Sequence, residues 1–503
     1  MGKAQISIDK SHRISAIDKR LYGSFVEHIG RAVYQGIYQP GHPTANADGF
    51  RMDVAQLVQA LRVPIVRYPG GNFVSGYRWE DGVGDRALRP RRLELAWGAV
   101  EDNQIGVNEF MDWTKLVGTE AMMAVNLGTR GAQEAADLVE YCNHDSGTHL
   151  SDLRAAHGYR QPHNIKLWCL GNEMDGHWQI GHKTAYEYGR LAHETAKMMR
   201  WVDKDIELVA CGSSYRAMPT YGAWEDTVLT ECYDSVDYLS LHHYYGNRSG
   251  DSQSFLSKGT EMDAFIKEVA SICDSVKARL RKKKQIHLSF DEWNVWYHKD
   301  IEDPSVKRWS QAPHLLEDVY TVEDAVVVGS ILITLIKNAD RVKIACLAQL
   351  VNVIGAIMTD ENGGAWPQTI FYPFLHASVY GRGTAMHCEI LSPQYSCAEF
   401  ADVNSIDAAA VLNEDETELT VFAVNRNLTE TLDVELDLRA FGASSLIEHI
   451  TYHNENRNAI LSATEQYAIP TNDTGTSISN GILHAAAPNV SWNVFRVQLG
   501  KQA

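Results

Sequence analysis

The hydrophobic positions of this chain fall into two textures. In the first, short apolar runs rich in β-branched residues turn polar at their C-terminal ends. In chain order they are LYGSFVEHIG (21–30), VPIVRYPGG (63–71), AMMAVNLGT (121–129), IKLWCLGNE (165–173), IELVACGSS (206–214), VDYLSLHHYY (236–245), QIHLSFDEW (285–293) and VKIACLAQL (342–350). Between them the apolar positions take the helical period, as in 53–62, 108–118, 132–142, 184–202, 261–283 and 322–339. Eight strands alternating with helices predict an α/β fold of the (β/α)8, or TIM-barrel, kind. A doubly wound sheet is the other fold with this alternation. It usually carries a glycine-rich phosphate turn after its first strand, and FVEHIGRAV (25–33) is not one.

The second texture follows FYPFLHASVYGRG (371–383). Segments such as ELTVFAVNRN (418–427), LDVELDL (432–438) and VSWNVFRVQL (490–499) alternate with period two, and no long helical pattern remains. This predicts an antiparallel, jelly-roll-like β-sandwich. The opening AQISIDKSHRISAI (4–17) alternates as well and is expected to add strands to that sandwich. The expected division is therefore residues 1–18 joining the sandwich, 19–375 forming the barrel, and 376–503 forming the sandwich.

Charge narrows the partners. Asp and Glu number 64 against 46 Lys and Arg, a net charge of -18. Such a surface repels nucleic acid and anionic membranes. The eight cysteines show no metal-binding spacing, and several sit in apolar runs, as in LWCLG and IACLAQ. Buried free thiols in a reducing compartment are the expectation. MGKAQISIDK has no apolar core of a secretory signal, and no run reaches membrane-spanning length. A cytoplasmic, soluble protein is expected.

In a barrel of this kind the chemistry lies at the C-terminal ends of the strands. Read in order, those ends offer Glu27, Arg67, Asn126, Asn172 with Glu173, Ser213 with Ser214, His242 with Tyr245, Glu292, and Gln349. The carboxylates of the fourth and seventh strands, Glu173 and Glu292, face each other across the opening. A pair of glutamates flanking a cleft is what cleavage of a glycosidic bond needs. Arg67 is the cation expected to hold Glu292 as a carboxylate, with Tyr245 as a further donor. Glu173, with only Asn172 and apolar neighbours in sequence, is then expected to hold its proton. Glu173 is thus the expected acid/base and Glu292 the expected nucleophile.

Other features have plainer readings. RYPGGN (67–72) is turn chemistry in any protein, with Asn72 placed to meet a sugar hydroxyl. Trp97 and Trp296 either stack on sugar rings or fill core, and core filling is the default. His242 and His243 point to opposite faces of their strand, so they do not chelate together. No HExxH occurs, and neither a metal nor another cofactor is expected.

Taken together, YGSFVEHIGRAVYQGIY, RYPGGNFVSGYRWEDGVG, WCLGNEMDG, LHHYYGN, LSFDEWNVWY and CLAQLVN resemble the glycoside hydrolases of family 51. These are intracellular, retaining α-L-arabinofuranosidases, and the resemblance runs over the whole chain. It implies Glu173 as acid/base, Glu292 as nucleophile, and Glu27, Arg67, Asn72, Asn172, Tyr245 and Gln349 around a bound arabinofuranose. His242 and Trp296 match positions near that site. It further implies an arabinose-containing oligo- or polysaccharide as substrate and a homohexamer as the assembly. Another retaining barrel glycosidase of endo-glucanase type, and a non-catalytic carbohydrate-binding barrel, are the alternatives. The second would have lost one of the two glutamates, and both are present.

Overall fold

The computed structural model describes residues 2–500. Residue 1 and residues 501–503, which open and close the expected sandwich segments, lie outside the described residues. Eight parallel strands close into a barrel in chain order: Gly23–Phe25, Ile65–Tyr68, Glu120–Val125, Leu167–Leu170, Glu207–Ala210, Tyr238–Tyr245, His287–Val295 and Val342–Ala348. They are called the first to eighth barrel strands below. The closure excludes the doubly wound sheet.

Period two sorts each strand. In the fourth, Leu167 and Cys169 face the barrel interior while Trp168 and Leu170 face the helices. The interior is packed with Phe25, Ile65, Met122, Val209 and Ile344, so it is a core and not a channel. Helices at Met52–Leu61, Val107–Val117, Ala132–Asn143, Ala185–Val202, Lys258–Arg279 and Val322–Lys337 cover the predicted segments. The pattern singled out neither Ala223–Cys232 nor Phe371–Tyr380. Both span only ten residues, and Pro373 stands in the first turn of the latter.

Ten of the remaining strands form one sheet, and the others pair in three two-stranded ribbons. The N-terminal strand Gly2–Ala16 lies inside the large sheet, antiparallel to Thr384–Leu391 and parallel to Leu432–Asp437. That parallel contact departs from the all-antiparallel expectation. It arises because a strand from the far end of the chain needs no hairpin to its neighbour. The sheet curls over a single core in which Ile6, Val421, Leu436, Leu483 and Phe495 meet. Its other face packs on the barrel through the helix Val322–Lys337. That helix is apolar all round because it is covered on both sides. Gly329 lets it approach: a Cβ there would lie 2.5 Å from the Trp492 ring. Among the described residues no helix is long and apolar enough to cross a membrane.

Candidate active site

The fourth strand ends abruptly. Gly171 at φ 84° and Glu173 at φ 44° both adopt the left-handed region, which turns the chain out of the barrel. For a non-glycine residue this conformation is uncommon and costs about 1 kcal/mol or more. It leaves Asn172 buried in the floor and Glu173 at the mouth. The seventh strand runs on instead. Ser289 pairs with Ser240 and Glu292 with His242, so three residues of one strand match two of the other. This bulge turns both Asp291 and Glu292 toward the interior.

The two glutamates meet over His242. Its Nδ1 lies 3.0 Å from Glu173 Oε1 and 3.7 Å from Glu292 Oε1. One oxygen of each carboxylate and a His242 nitrogen all lie within 4.8 Å of one another. Burial pulls the His242 ring down, but Glu292, Asp291 and Glu173 around it push it up to about 10. It is therefore an imidazolium at neutral pH, and Nδ1 donates to Glu173. The company of Glu173 is thus more polar than its neighbours in sequence suggested. Trp178 Nε1 also donates to it, at 2.8 Å.

Glu292 is held from two sides. Arg67 NH1 donates to Oε1 at 2.6 Å, and the Tyr244 hydroxyl donates to Oε2 at 2.9 Å. Arg67 NH2 donates to Asn172 Oδ1 at 2.8 Å, so one guanidinium ties the two strand ends together. Asn172 Nδ2 in turn faces Asn72 Oδ1 at 3.4 Å. The RYPGGN turn forms a wall of the site: a Cβ at Gly71 would stand 3.0 Å from Glu292 Oε1.

Glu27 completes the ring of carboxyls. It accepts from the Phe73 backbone and from Trp97 Nε1, each at 2.9 Å, and its own backbone N–H donates to Gln349 Oε1 at 2.9 Å. Burial, and the nearby Glu292 charge, push its carboxyl up to about 8. A pocket of about 350 Å³ opens over these groups, lined by Glu27, Asn72, Glu173, Glu292, Trp296 and Gln349 among others. That volume sits at the small end of ligand pockets. Trp97 and Trp178 also line it, so Trp97 is wall and not core filling.

One expected residue is misplaced. Tyr245 is not the donor to Glu292; its hydroxyl is buried without a partner among the described residues, and its ring packs on His243, 4.5 Å between centroids. Alternation explains the correction. On the sixth strand Ser240, His242 and Tyr244 point inward, so Tyr245 points out with His243. Asn126 and the serines of the fifth strand brace the surrounding loops, with Ser214 also lining the pocket. Asn126 caps the turn to Thr129, and Ser214 bonds Asp175. Asp291, Tyr244 and Trp178 were missed. Alternation would have found Tyr244, whereas the bulge and the loop fold that place the other two leave no periodic trace.

Glu173, His242 and Glu292 offer three ligand atoms to a cation. The set is already committed: His242 is cationic itself, and the Arg67 guanidinium occupies Glu292. It does not fit a metal.

Two family models match the chain. One, described as the alpha-L-arabinofuranosidase 1 domain, covers residues 57–264, and the other, the alpha-L-arabinofuranosidase C-terminal domain, covers 291–491. An intracellular exo-alpha-(1->5)-L-arabinofuranosidase of Halalkalibacterium halodurans is 58% identical over 499 residues, 99% of each chain. Its counterpart numbered 1 in Bacillus subtilis is 56% identical, again over 99% of each chain. A solved structure of a family 51 alpha-L-arabinofuranosidase from Bifidobacterium longum superposes with a TM-score of 0.94 at 43% identity, over 99% of each chain. Full-length identity at this level, on a barrel that brings the two glutamates together, leaves one assignment: the chain belongs to glycoside hydrolase family 51, the α-L-arabinofuranosidases.

Proposed function

We propose that this protein releases terminal α-L-arabinofuranosyl residues from arabinose-containing oligo- or polysaccharides inside the cell, with retention of configuration. The observation that carries the reading is the approach of the two carboxylates, an oxygen of each lying within 4.8 Å of the other beside His242. That supports the roughly 5–5.5 Å spacing of retaining enzymes over the roughly 6.5–9.5 Å of inverting ones.

In the first step Glu292 attacks the anomeric carbon while Glu173 gives its proton to the departing glycosidic oxygen. A glycosyl-enzyme forms and the first product leaves. In the second step Glu173 takes a proton from water, whose oxygen bonds to the same carbon and releases Glu292. Arg67 and Tyr244 hold Glu292 as the carboxylate that the attack requires. Asn172, Asn72, Glu27 and Gln349 supply the polar groups that meet the sugar hydroxyls, and Trp97 and Trp296 flank the ring. The pocket, about 350 Å³ and walled by Gly71, Trp97, Trp178 and Trp296, suits a terminal sugar better than the middle of a chain. The names of the two relatives, exo-alpha-(1->5)-L-arabinofuranosidases, support trying α-1,5-linked arabinose first. A homohexamer belongs to the same proposal, and light scattering measures it directly.

A panel of nitrophenyl glycosides tests the reading. The arabinofuranoside should be cleaved at least about 100-fold faster than the xyloside, glucoside or galactoside. Early product seen by NMR should keep the starting anomeric configuration. Preference for another glycoside, or an inverted product, overturns it.

A further inference from the structure

Beneath the two glutamates lies a third acid that the reaction does not use. Asp291 is 1% exposed and sits in the bulge directly before Glu292. Its Oδ2 is 3.1 Å from Arg67 Nε, and its Oδ1 is 3.7 Å from His242 Nε2. Among the described residues, Arg67 Nε, His242 Nε2 and Asp291 Oδ1 each lack a hydrogen-bond partner. Each is therefore the nearest compensation the others have. The far ends of the same two cations reach the reacting pair: Arg67 NH1 meets Glu292, and His242 Nδ1 meets Glu173.

We propose that Asp291 is a positioning residue for the proposed reaction: from below, its carboxylate fixes and balances both cations, so that Arg67 is aimed at Glu292 and His242 at Glu173. This rests on the roles given above to the two glutamates. Two buried cations side by side would repel each other and lose their orientation without an anion between their inner ends. The titratable groups facing Asp291 are Arg67 from the second strand, Cys169 from the fourth, Cys211 beyond the fifth, His242 from the sixth, Glu292 from its own, and Cys346 from the eighth. Burial pushes the three thiols up, so they stay neutral. Asp291 is thus the one anion of this lower layer. The bulge is what makes this possible, because a regular strand would turn Asp291 out when Glu292 turns in.

The replacement Asp291→Asn keeps the shape and removes the charge. With that anion gone, every proton in the cleft is held less tightly. Both limbs of the kcat/KM profile on nitrophenyl arabinofuranoside should move to lower pH by about one unit or more. The loss of aim should lower kcat/KM at the wild-type optimum by about 100-fold. A merely structural role would scale the profile without moving it. If Asp291→Asn does not fold, the wild-type protein labelled with nitrogen-15 histidine decides, with His242→Gln used to identify the signal. Both His242 nitrogens should carry protons at neutral pH; a neutral ring there would overturn the inference, since Asp291 would have no second cation to balance. An unmoved profile in folded Asp291→Asn would overturn it too. Glu292→Ala and Glu173→Ala are run beside it. Activity persisting in Glu292→Ala removes the proposed reaction and this inference with it, while the expected behaviour of both with an unmoved Asp291→Asn profile removes the inference alone.

Discussion

The ends of the fourth and seventh barrel strands each deliver a glutamate to the same few ångströms, and they do so by opposite means. The seventh strand keeps its ladder through the bulge, and Glu292 is paired in register with His242. Arg67 and Tyr244 grip both of its oxygens. The fourth strand breaks at Gly171, and Glu173 stands beyond the ladder on left-handed backbone. One of its two partners, Trp178, is a residue of the outer loop and 39% exposed. The difference suits the roles proposed for the two groups. A nucleophile has one target and gains from rigidity. An acid/base group must meet a leaving group, then water, and exchange protons between them.

If this contrast is right, the two glutamates should fail differently when removed. Glu292→Ala should lose about 10⁵-fold or more in kcat on every substrate, since nothing else in the cleft can form the covalent intermediate. With an activated substrate, azide should restore turnover only as the inverted glycosyl azide. Substantial turnover without added anion breaks the assignment.

Glu173→Ala should discriminate between leaving groups. On natural oligosaccharides, whose alcohol leaving groups need a proton, the loss should be about 10³-fold. With a good phenolate the first step proceeds, the second lacks its base, and a burst marks the accumulating glycosyl-enzyme. Azide needs no base, so it should raise the steady rate and give a glycosyl azide of retained configuration. Equal losses on activated and natural substrates, with no response to azide, would leave Glu173 as a group that only positions substrate.

The same contrast explains how far the sequence could be read. The barrel was legible because eight runs shared one grammar, apolar and then polar, and strand ends converge by construction in this fold. Both glutamates were found that way, as were Glu27, Arg67, Asn172, His242 and Gln349. What failed was local backbone geometry. Alternation separates His242 from His243, and one step further along the strand it separates Tyr244 from Tyr245 and gives the inward residue correctly. The bulge at Asp291 was invisible, because FDEW reads as an ordinary strand end whichever acid points inward. Trp178 lies five residues beyond Glu173, and only the folded loop returns it to that carboxylate.

The tyrosine pair turns that lesson into a measurement. Tyr244→Phe removes a hydrogen bond to the charged Glu292 and should cost about 10- to 100-fold in kcat. Tyr245→Phe removes a buried hydroxyl that has no partner, so kcat/KM should stay within about twofold of wild type. The reverse ranking would mean that the sixth strand is out of register by one residue.

The smallest expected effect is on stability, and it comes from the carboxyl that belongs to neither strand end. The folded protein holds the Glu27 proton up to about 8, whereas an unfolded chain releases it near 4.5. Between those values the folded state binds more protons than the unfolded state, so this group makes stability fall as pH rises. Glutamine in its place has no proton to lose. The melting temperature of Glu27→Gln, compared with wild type, should show a difference that is flat below about pH 4.5, grows in favour of the variant as pH rises, and levels above about pH 8, at a few degrees for a chain of this size. Part of the push comes from the Glu292 charge, so the pH-dependent part of the difference should shrink in the Glu292→Gln background. A pH-independent difference between Glu27→Gln and wild type would mean that Glu27 is ionised in the folded cleft, and that the crowding of negative charge around the seventh strand end is weaker than the geometry indicates.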